Sequence, residues 1–269
     1  MSTQQTRKPY STDLSDEAWE WIAPLLAQAT GPGRPRTVDI REIVNAIFYL
    51  DKTGCQWEML PHDLPDYRHV NYYYLEWTRK GVWDQVLESL RELARVAAGK
   101  KPEPSAAIMD SQSVKTTSHG EEHGYDAGKK VKGRKRHIVV DTLGLLLLVM
   151  VTPASTQDRD GAAQLCDEVQ LQFAQIKKIW ADSAYAGELV QYVQLWCQFV
   201  LEIVKRPVHQ RGFQVQPKRW IVERTFSWLN SFRRLSKDYE NTIHSSESMI
   251  KIALIHVLLR RLRPALYLL

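Results

Sequence analysis

Residues 177–187 read KKIWADSAYAG, and within them a short apolar run ends directly on a carboxylate. The run at 179–181 is typical of a buried strand, and Asp182 follows it without a break. An ionised carboxylate beside a hydrophobic core is costly unless a cation or hydrogen-bond donors compensate it. This stretch therefore predicts a strand that delivers an acid to the edge of a sheet.

The same combination of apolar strand and acid occurs in AAIMDSQSV (106–114), where Asp110 follows the apolar residues. Apolar runs of strand length also lie at 137–142, 145–155, 178–182 and 200–207, and residues 142–144 form a tight hairpin connection. Helical periodicity is found at 160–173, 187–199, 217–235 and 245–262. The order β-β-β-α-β-α-β-α predicts an α/β fold whose sheet begins with an antiparallel meander.

The first part of the chain has a different pattern, since residues 12–98 show helical rather than strand periodicity. Ser15 is positioned to cap a first helix, and further helices are expected at 39–53, 68–80 and 82–99. The Pro-containing segment 99–105 has the composition of a linker. We therefore expect a helical N-terminal domain at 1–100 and a sheet-containing domain at 101–269.

The composition of the 269-residue chain is that of a soluble globular protein, with 44% hydrophobic and 25% charged residues. Its net charge of +5 is compatible with a polyanionic partner without identifying one. The three cysteines are far apart and form no CxxC pair, which argues against a disulfide framework and for a reducing compartment. No apolar stretch approaches the ~20 residues of a membrane-spanning helix, so we expect a cytoplasmic protein without a membrane partner.

Three acids are candidates for one shared site: Asp110 and Asp182 at strand ends, and Glu223 within the helix at 217–235. If the first and fourth strands are neighbours, both aspartates emerge at one edge of the sheet, and a helix across that edge brings Glu223 against them. Clustered carboxylates repel one another unless cations intervene, and Mg²⁺ or Mn²⁺ prefers such oxygen ligands. The alternative is that each aspartate only forms a turn or a helix cap and that Glu223 is a solvated surface residue.

The chain contains, in this order, the segments IMDSQSVK, GYDAGKKVKGRKRHIVVDTLGLLL, PASTQDRDGA, IWADSAYAG, LEIVKRP and RWIVERTFSWLNSFRRLSKDYE. Together they resemble the characteristic blocks of bacterial insertion-sequence transposases of the DDE type, and more narrowly the insertion-sequence-five family. The resemblance covers nearly the whole chain. It implies an RNase H-like mixed sheet with flanking helices, in which Asp110, Asp182 and Glu223 are the catalytic, metal-binding acids.

The resemblance also implies an activity. It is that of a transposase that binds the terminal inverted repeats of an insertion sequence and catalyses metal-dependent 3′-end cleavage and strand transfer. The implied cofactor is a pair of Mg²⁺ or Mn²⁺ ions, and the implied partners are double-stranded DNA and further copies of the chain, in a dimer or higher assembly at the bacterial nucleoid. A metal-dependent nuclease that only hydrolyses DNA uses the same site and stays an alternative. A non-catalytic DNA-binding regulator is a second alternative, although all three acids are present.

One position near Glu223 departs from the family pattern. Arg219 stands one helical turn before Glu223, as the pattern requires, but Asn230 stands where a basic residue is expected two turns after it. The cations near that helix face that can contact DNA phosphates instead are Arg219, Arg224, Arg233 and Arg234.

The segment KKVKGRKRH (129–137) concentrates cations just before the second predicted strand: Lys129, Lys130, Lys132, Arg134, Lys135 and Arg136. Such clusters bind phosphate backbones through the release of counterions, without reading sequence. We expect these six side chains to contact DNA. An ordinary solvated hairpin is the alternative.

The helices at 39–53 and 68–80, joined by a Pro-containing loop, resemble a helix-turn-helix, whose second helix enters the major groove. Arg68 and Arg79 are then candidates for DNA contact. Arg34 and Arg36, in the segment GRPR, are candidates for the minor groove. A helical bundle with only a packing role is the alternative.

Overall fold

The computed structural model describes residues 7–28, 38–117, 120–204 and 218–265. Its helices are α1 (Asp16–Gln28), α2 (Ile40–Thr53), α3 (Tyr67–Arg79), α4 (Val82–Ala97), α5 (Asp158–Gln172), α6 (Glu188–Trp196), α7 (Arg219–Asn230) and α8 (Ile243–Ala265). Its strands are β1 (Ala106–Lys115), β2 (Gly124–Asp126), β3 (Val131–Asp141), β4 (Leu146–Pro153), β5 (Lys178–Ala181) and β6 (Val200–Ile203). Short 3-10 turns lie at Trp57–Met59, Ser183–Tyr185 and Arg233–Leu235. Within these ranges no helix is both long and apolar enough to cross a bilayer.

Helices α2 and α3 begin where the sequence supplies capping side chains. The carboxylate of Asp39 accepts from the amide of Arg41 at the start of α2, and Asp66 does the same for Arg68 at the start of α3. Gly54 ends α2 with a φ of 71°, a conformation that costs a residue with a Cβ more than it costs glycine. The predicted helical character of this region is confirmed.

The sheet is mixed, as predicted, with the strand order β4-β3-β1-β5-β6 and with β2 paired to the start of β3. Strands β1, β3 and β4 form an antiparallel meander, and β5 and β6 continue the sheet from β1 as parallel strands. The turn after β3 is the predicted hairpin, in which the buried carboxylate of Asp141 accepts from the amides of Leu143 and Leu145. The predicted RNase H-like α/β architecture is thereby confirmed.

The register between β1 and β5 places the two aspartates side by side. Ile108 pairs with Trp180 in this parallel pair, and Asp110 and Asp182 each follow two residues later. Because side chains in a strand alternate between faces, each aspartate projects to the same side as the paired residue two positions earlier. The condition under which both aspartates were expected at one edge of the sheet, that their strands are neighbours, is therefore met.

The two faces of the sheet carry two apolar cores. Ala107 and Met109 of β1 face one core, which α5 and α6 cover, whereas Ile108 faces the other. The second core contains residues of α7, α8 and the N-terminal helices, and the Phe48 ring of α2 stacks on His256 of α8 with centroids 4.6 Å apart. The N-terminal helices therefore share a core with the sheet, and the predicted division into domains at 1–100 and 101–269 stays a prediction.

Several element boundaries differ from the predicted ones. Strand β3 begins at Val131 rather than at 137, because its basic residues are paired inside the protein, and the short strand β2 was not predicted. Helix α7 ends at Asn230 instead of 235. Helices α2 and α3 are joined through residues 54–66, a longer connection than the turn of about 3–4 residues in a helix-turn-helix. The likeness to that motif stays a prediction.

Candidate active site

The candidate active site lies where β1, β5 and α7 meet. Asp110 lies within β1, beyond its pairing with β5, and its carboxylate accepts from the amide of Ser111 at 2.7 Å. Asp182 follows β5 and caps the 3-10 turn Ser183–Tyr185, accepting from the amide of Ala184 at 2.8 Å. The alternative role of Asp182 as a cap is therefore observed, and it leaves the second carboxylate oxygen for another partner.

Arg219 joins the three predicted acids. One nitrogen, Nη2, lies 3.9 Å from Asp110 Oδ2, 3.5 Å from Asp182 Oδ2 and 3.7 Å from Glu223 Oε1. The structure therefore brings all three carboxylates to one place, around a cation one helical turn before Glu223. These distances exceed those of good hydrogen bonds, so the attraction is mainly electrostatic.

Exposure differs among the three acids. The side chains of Asp110, Asp182 and Glu223 are 16%, 25% and 50% exposed, respectively. Burial raises the pKa of Asp110 to about 6, and the charge of Asp182 adds to the rise, whereas the Ser111 amide and Arg219 oppose it. Arg219 therefore compensates the cluster only in part, and further positive charge there would be favourable.

The donor set suits a hard divalent cation, because carboxylate oxygens are the preferred protein ligands of Mg²⁺ and Mn²⁺. The incomplete compensation of Asp110 also fits a bound cation. With Arg219 between the acids, however, no group of three or more His, Cys, Asp or Glu side chains within the described ranges is close enough to form a metal site. A metal ion would have to replace the guanidinium at the centre of the cluster.

A polar network lies next to Asp110 that the sequence did not indicate. The Lys135 ammonium lies 2.8 Å from Asp158 Oδ1, and the hydroxyl of Ser111 donates to the same oxygen at 2.8 Å. The Ser113 hydroxyl donates to Asp126 Oδ2 at 2.6 Å. The only signal in the sequence was that Asp126 and Asp158 lie within two of the family-like segments, without a role of their own.

The basic segment divides into an exposed and an internal half. Lys129, Lys130 and Lys132 are exposed at the turn before β3 and at its start. Arg134, Lys135 and Arg136 are only 1%, 4% and 1% exposed. Their charged groups are engaged by Asp238, by Asp158 and by backbone carbonyl groups such as that of Leu235. The prediction that these three residues contact DNA is therefore wrong, because their charged groups are buried inside the protein and cannot reach a phosphate.

The other residues predicted to contact DNA also differ in their exposure. Arg234 is buried, its Nε donates to Glu240 at 2.8 Å, and the prediction that it contacts DNA is wrong in the same sense. Arg233, Arg68 and Arg79 are exposed, Arg224 and Arg219 are partly buried, and Arg34 and Arg36 lie outside the described residues. On α3 the exposed positions Arg68, Tyr72, Leu75 and Arg79 share one helix face.

Family models match both parts of the chain. The model described as "Transposase DDE domain" matches residues 101–258, and the model described as "Putative transposase of IS4/5 family" matches residues 14–87. A putative transposase for insertion sequence element IS402 from Burkholderia cepacia is 27% identical over 142 residues, 49% of this chain and 66% of that protein. The uncharacterized protein y4sN from Sinorhizobium fredii is 36% identical over 78 residues, 29% of this chain and 62% of that protein. The chain thus covers less than two thirds of either relative.

Two solved structures are weakly similar. A piggyBac transposase synaptic complex with hairpin DNA has a TM-score of 0.34 and 12% identity, covering 76% of this chain and 51% of that chain. A pre-cleavage Mos1 transpososome has a TM-score of 0.27 and 10% identity, covering 88% of this chain and 81% of that chain. These TM-scores are too low to carry an argument, whereas the first family model matches more than half of the chain. The chain belongs to the family of transposases with a DDE domain.

Proposed function

We propose that this protein is a DNA transposase that cuts the terminal inverted repeats of an insertion sequence at their 3′ ends and joins them to target DNA. One observation carries the proposal: a single nitrogen of Arg219 lies within 3.9 Å of carboxylate oxygens of Asp110, Asp182 and Glu223. Acids from two strands and a helix are thereby gathered at one edge of the sheet. Membership of the DDE transposase family supports the same reading.

The three acids would hold two divalent metal ions, Mg²⁺ or Mn²⁺. When bound, the ions neutralise charge on the entering and leaving oxygens of an in-line displacement at phosphorus. In the first step water attacks the phosphodiester and a 3′-hydroxyl leaves. In the second, that hydroxyl attacks a phosphodiester of target DNA, and a 3′-hydroxyl of the target strand leaves. The same acids serve both steps because each step is a displacement at phosphorus, and no covalent link between protein and DNA is needed.

Arg219 has two roles in this scheme. Without metal, its guanidinium compensates the charge of the carboxylates. With metal bound, that charge is neutralised by the metal, and the guanidinium is available to bind a phosphate of the DNA strand. The exposed Lys129, Lys130 and Lys132 supply a second phosphate-binding surface near Asp110, since Lys129 Nζ lies 3.4 Å from the Ser111 hydroxyl. The exposed face of α3 with Arg68 and Arg79 is the third surface.

The reaction also sets the assembly and the location. Two ends of one element must be joined in concert, so the working form is a homodimer or a higher assembly on DNA. Its substrate places the protein in the cytoplasm, at the nucleoid.

The test is a joining assay with Mg²⁺, labelled terminal-repeat DNA and supercoiled target, using the wild type and the variant Asp182→Asn. The variant keeps the size of the side chain and removes its charge, so we expect it to lose both cleavage and joining. Asp16→Asn is the matched control, because Asp16 is 85% exposed on α1 and lies outside the site. Normal cleavage by Asp182→Asn would falsify the proposal.

The same assay separates the alternatives. Cleaved ends without any joined product indicate a nuclease that uses the same site for hydrolysis alone. Binding of the repeats without cleavage, in the presence of Mg²⁺ and of Mn²⁺, indicates a non-catalytic regulator.

A further inference from the structure

A stripe of alternating indole and guanidinium groups runs along α7 beside the candidate active site. Trp220, Arg224 and Trp228 follow one another at four-residue spacing, and Arg224 Cζ lies 4.6 Å and 5.0 Å from the two ring centroids. Arg261 of α8 continues the stripe, with Cζ 4.4 Å from the Trp228 centroid. Since consecutive helix residues point about 100° apart, this stripe lies next to the face that carries Glu223.

The two arginines of the stripe are not ion-paired within the described part of the chain. Arg224 Nη2 donates to the carbonyl of Leu143 at 2.8 Å, but among the described residues no carboxylate forms an ion pair with Arg224 or Arg261. Burial and the charge of Arg261 both lower the pKa of Arg224. The charge of Asp141 opposes this lowering only in part, so two like charges within 5.0 Å of one indole centroid favour the binding of an anion beside them.

A cavity of about 370 Å³ opens beside this pair. Arg224 and Arg261 line it together with apolar side chains from three parts of the chain: Ala94, Ala97, Ala98, Leu143, Leu145, Leu258 and Leu262. Among the described residues that line the cavity, Arg224 and Arg261 are the only ones with a charged side chain. A ligand with one anionic group and an apolar or planar remainder matches that lining.

The stripe also bears on Asn230, which stands where the family pattern has a basic residue. Arg234, one substitute that the sequence offered for the expected basic residue, is bound internally to Glu240. Arg261 was not apparent from the sequence, because it reaches α7 from a different helix. It adds an exposed cation at the side of α7, near the C-terminal half of the helix.

We propose that Arg224 and Arg261 together bind one phosphate of the DNA strand that enters the active site, with Trp228 packed against both guanidinium groups and the apolar wall packing against the sugar or base. This proposal rests on the proposed function and names part of its substrate-binding surface. A DNA strand fits this place because the pair lies beside the helix face that carries Glu223, the exposed Trp220 offers a stacking surface, and neither arginine is ion-paired to an acid of the described residues.

The test compares the salt dependence of DNA binding for Arg261→Gln and Arg260→Gln, with Ca²⁺ in place of Mg²⁺ so that the DNA stays intact. Arg260 is the matched control: it is the exposed neighbour, of equal charge, and its Nη2 donates to the carbonyl of Ser11 at 2.6 Å. One lost phosphate contact lowers the salt slope by about 0.9 and the affinity roughly eightfold at ~0.1 M salt. We expect this loss for Arg261→Gln and only a minor change for Arg260→Gln.

A second arm locates the phosphate. Duplexes with a single neutral methylphosphonate at successive positions near the cleaved bond are bound to the wild type and to Arg261→Gln. At one position the wild type should lose about as much affinity as it loses through Arg261→Gln, and the variant should lose nothing further. Equal salt slopes for the two variants, or equal losses for wild type and variant at every position, overturn the proposal. If the wild type binds DNA with the expected slope and yet neither cuts nor joins it, the proposed function fails while this contact is still measured.

Discussion

Arg219 is the residue on which the charge balance of the candidate site depends. One guanidinium faces three carboxylates at 3.5 to 3.9 Å, so the cluster keeps an excess of negative charge. The least exposed of the three acids, Asp110, has a pKa raised to about 6 from an ordinary value of 3.8, mainly because it is buried and to a smaller extent because of the charge of Asp182. A site with this imbalance is destabilising in the absence of metal and is stabilised by whatever adds positive charge.

This imbalance predicts a pH dependence of stability in the metal-free protein. A raised pKa means that the folded state binds the proton of Asp110 more tightly than the unfolded state, so the stabilisation is full below about pH 4 and is lost as pH rises through about 6. Asp110→Asn mimics the protonated form. We expect it to match the wild type near pH ~4 and to exceed it by about 2 kcal/mol near pH ~7.5, in urea unfolding with a chelator present.

The measurement to compare is the difference in unfolding free energy between wild type and Asp110→Asn at each pH. Asp51 is also buried with a raised pKa, and it changes the pH dependence of both proteins equally. Addition of Mg²⁺ at neutral pH should stabilise the wild type more than Asp110→Asn. Two curves that stay parallel over the whole pH range would show that Asp110 is not under this strain.

At the scale of elements, the position of β3 determines which residues of the basic segment are exposed and which are buried. The segment reads as one cationic run, but the structure places its first half at a turn and its second half inside the protein. Arg134 lies 3.2 Å from Asp238, with both side chains 1% exposed, and Lys135 on the opposite face lies 2.8 Å from Asp158. Both faces of the strand are covered here, so these cations stabilise the fold.

Arg134 and Lys132 therefore give opposite predictions. Arg134→Gln removes one member of a buried ion pair and leaves Asp238 with the charge of Arg136 as a weaker compensation, which should lower the free energy of unfolding by about 3 kcal/mol. Lys132→Gln, two residues earlier and exposed, should change stability by less than about 0.5 kcal/mol and weaken DNA binding. Urea unfolding and a DNA-binding titration on both variants check the pair. A stable Arg134→Gln with weakened binding would return Arg134 to the DNA surface.

The same strand shows how far the sequence could predict this protein. Apolar runs that end on acids located β1, β5 and the aspartates, because burial and the cost of an ionised carboxylate are local properties of the chain. The burial of Arg134 was not predictable in this way, since its partner Asp238 is 104 residues away in sequence. Strand β2 was missed because its three residues, GYD, carry no alternating apolar pattern.

At the scale of the whole molecule, α8 connects the two regions that composition separates. It contacts α2 and α4 of the N-terminal region and β4 of the sheet. The Phe48 ring of α2 is fully buried and stacks on His256 of α8 with the planes 4° apart. The sequence pattern changes near residue 100, but the core is continuous across that position. We therefore expect the N-terminal helices and the sheet to unfold as one unit.

Phe48→Ala tests this cooperativity, because the residue lies in the N-terminal region and the readout is taken in the sheet. Removing a fully buried phenylalanine should cost about 3–5 kcal/mol. If the regions unfold together, the slowest-exchanging amides of β3 lose protection by the same free energy, as hydrogen exchange can measure. Tyr72→Ala, at a position 62% exposed on α3, is the matched aromatic control and should leave those amides unchanged. Amides of β3 that keep their full protection in Phe48→Ala, while those of α2 lose it, would establish two independently folding domains divided near residue 100.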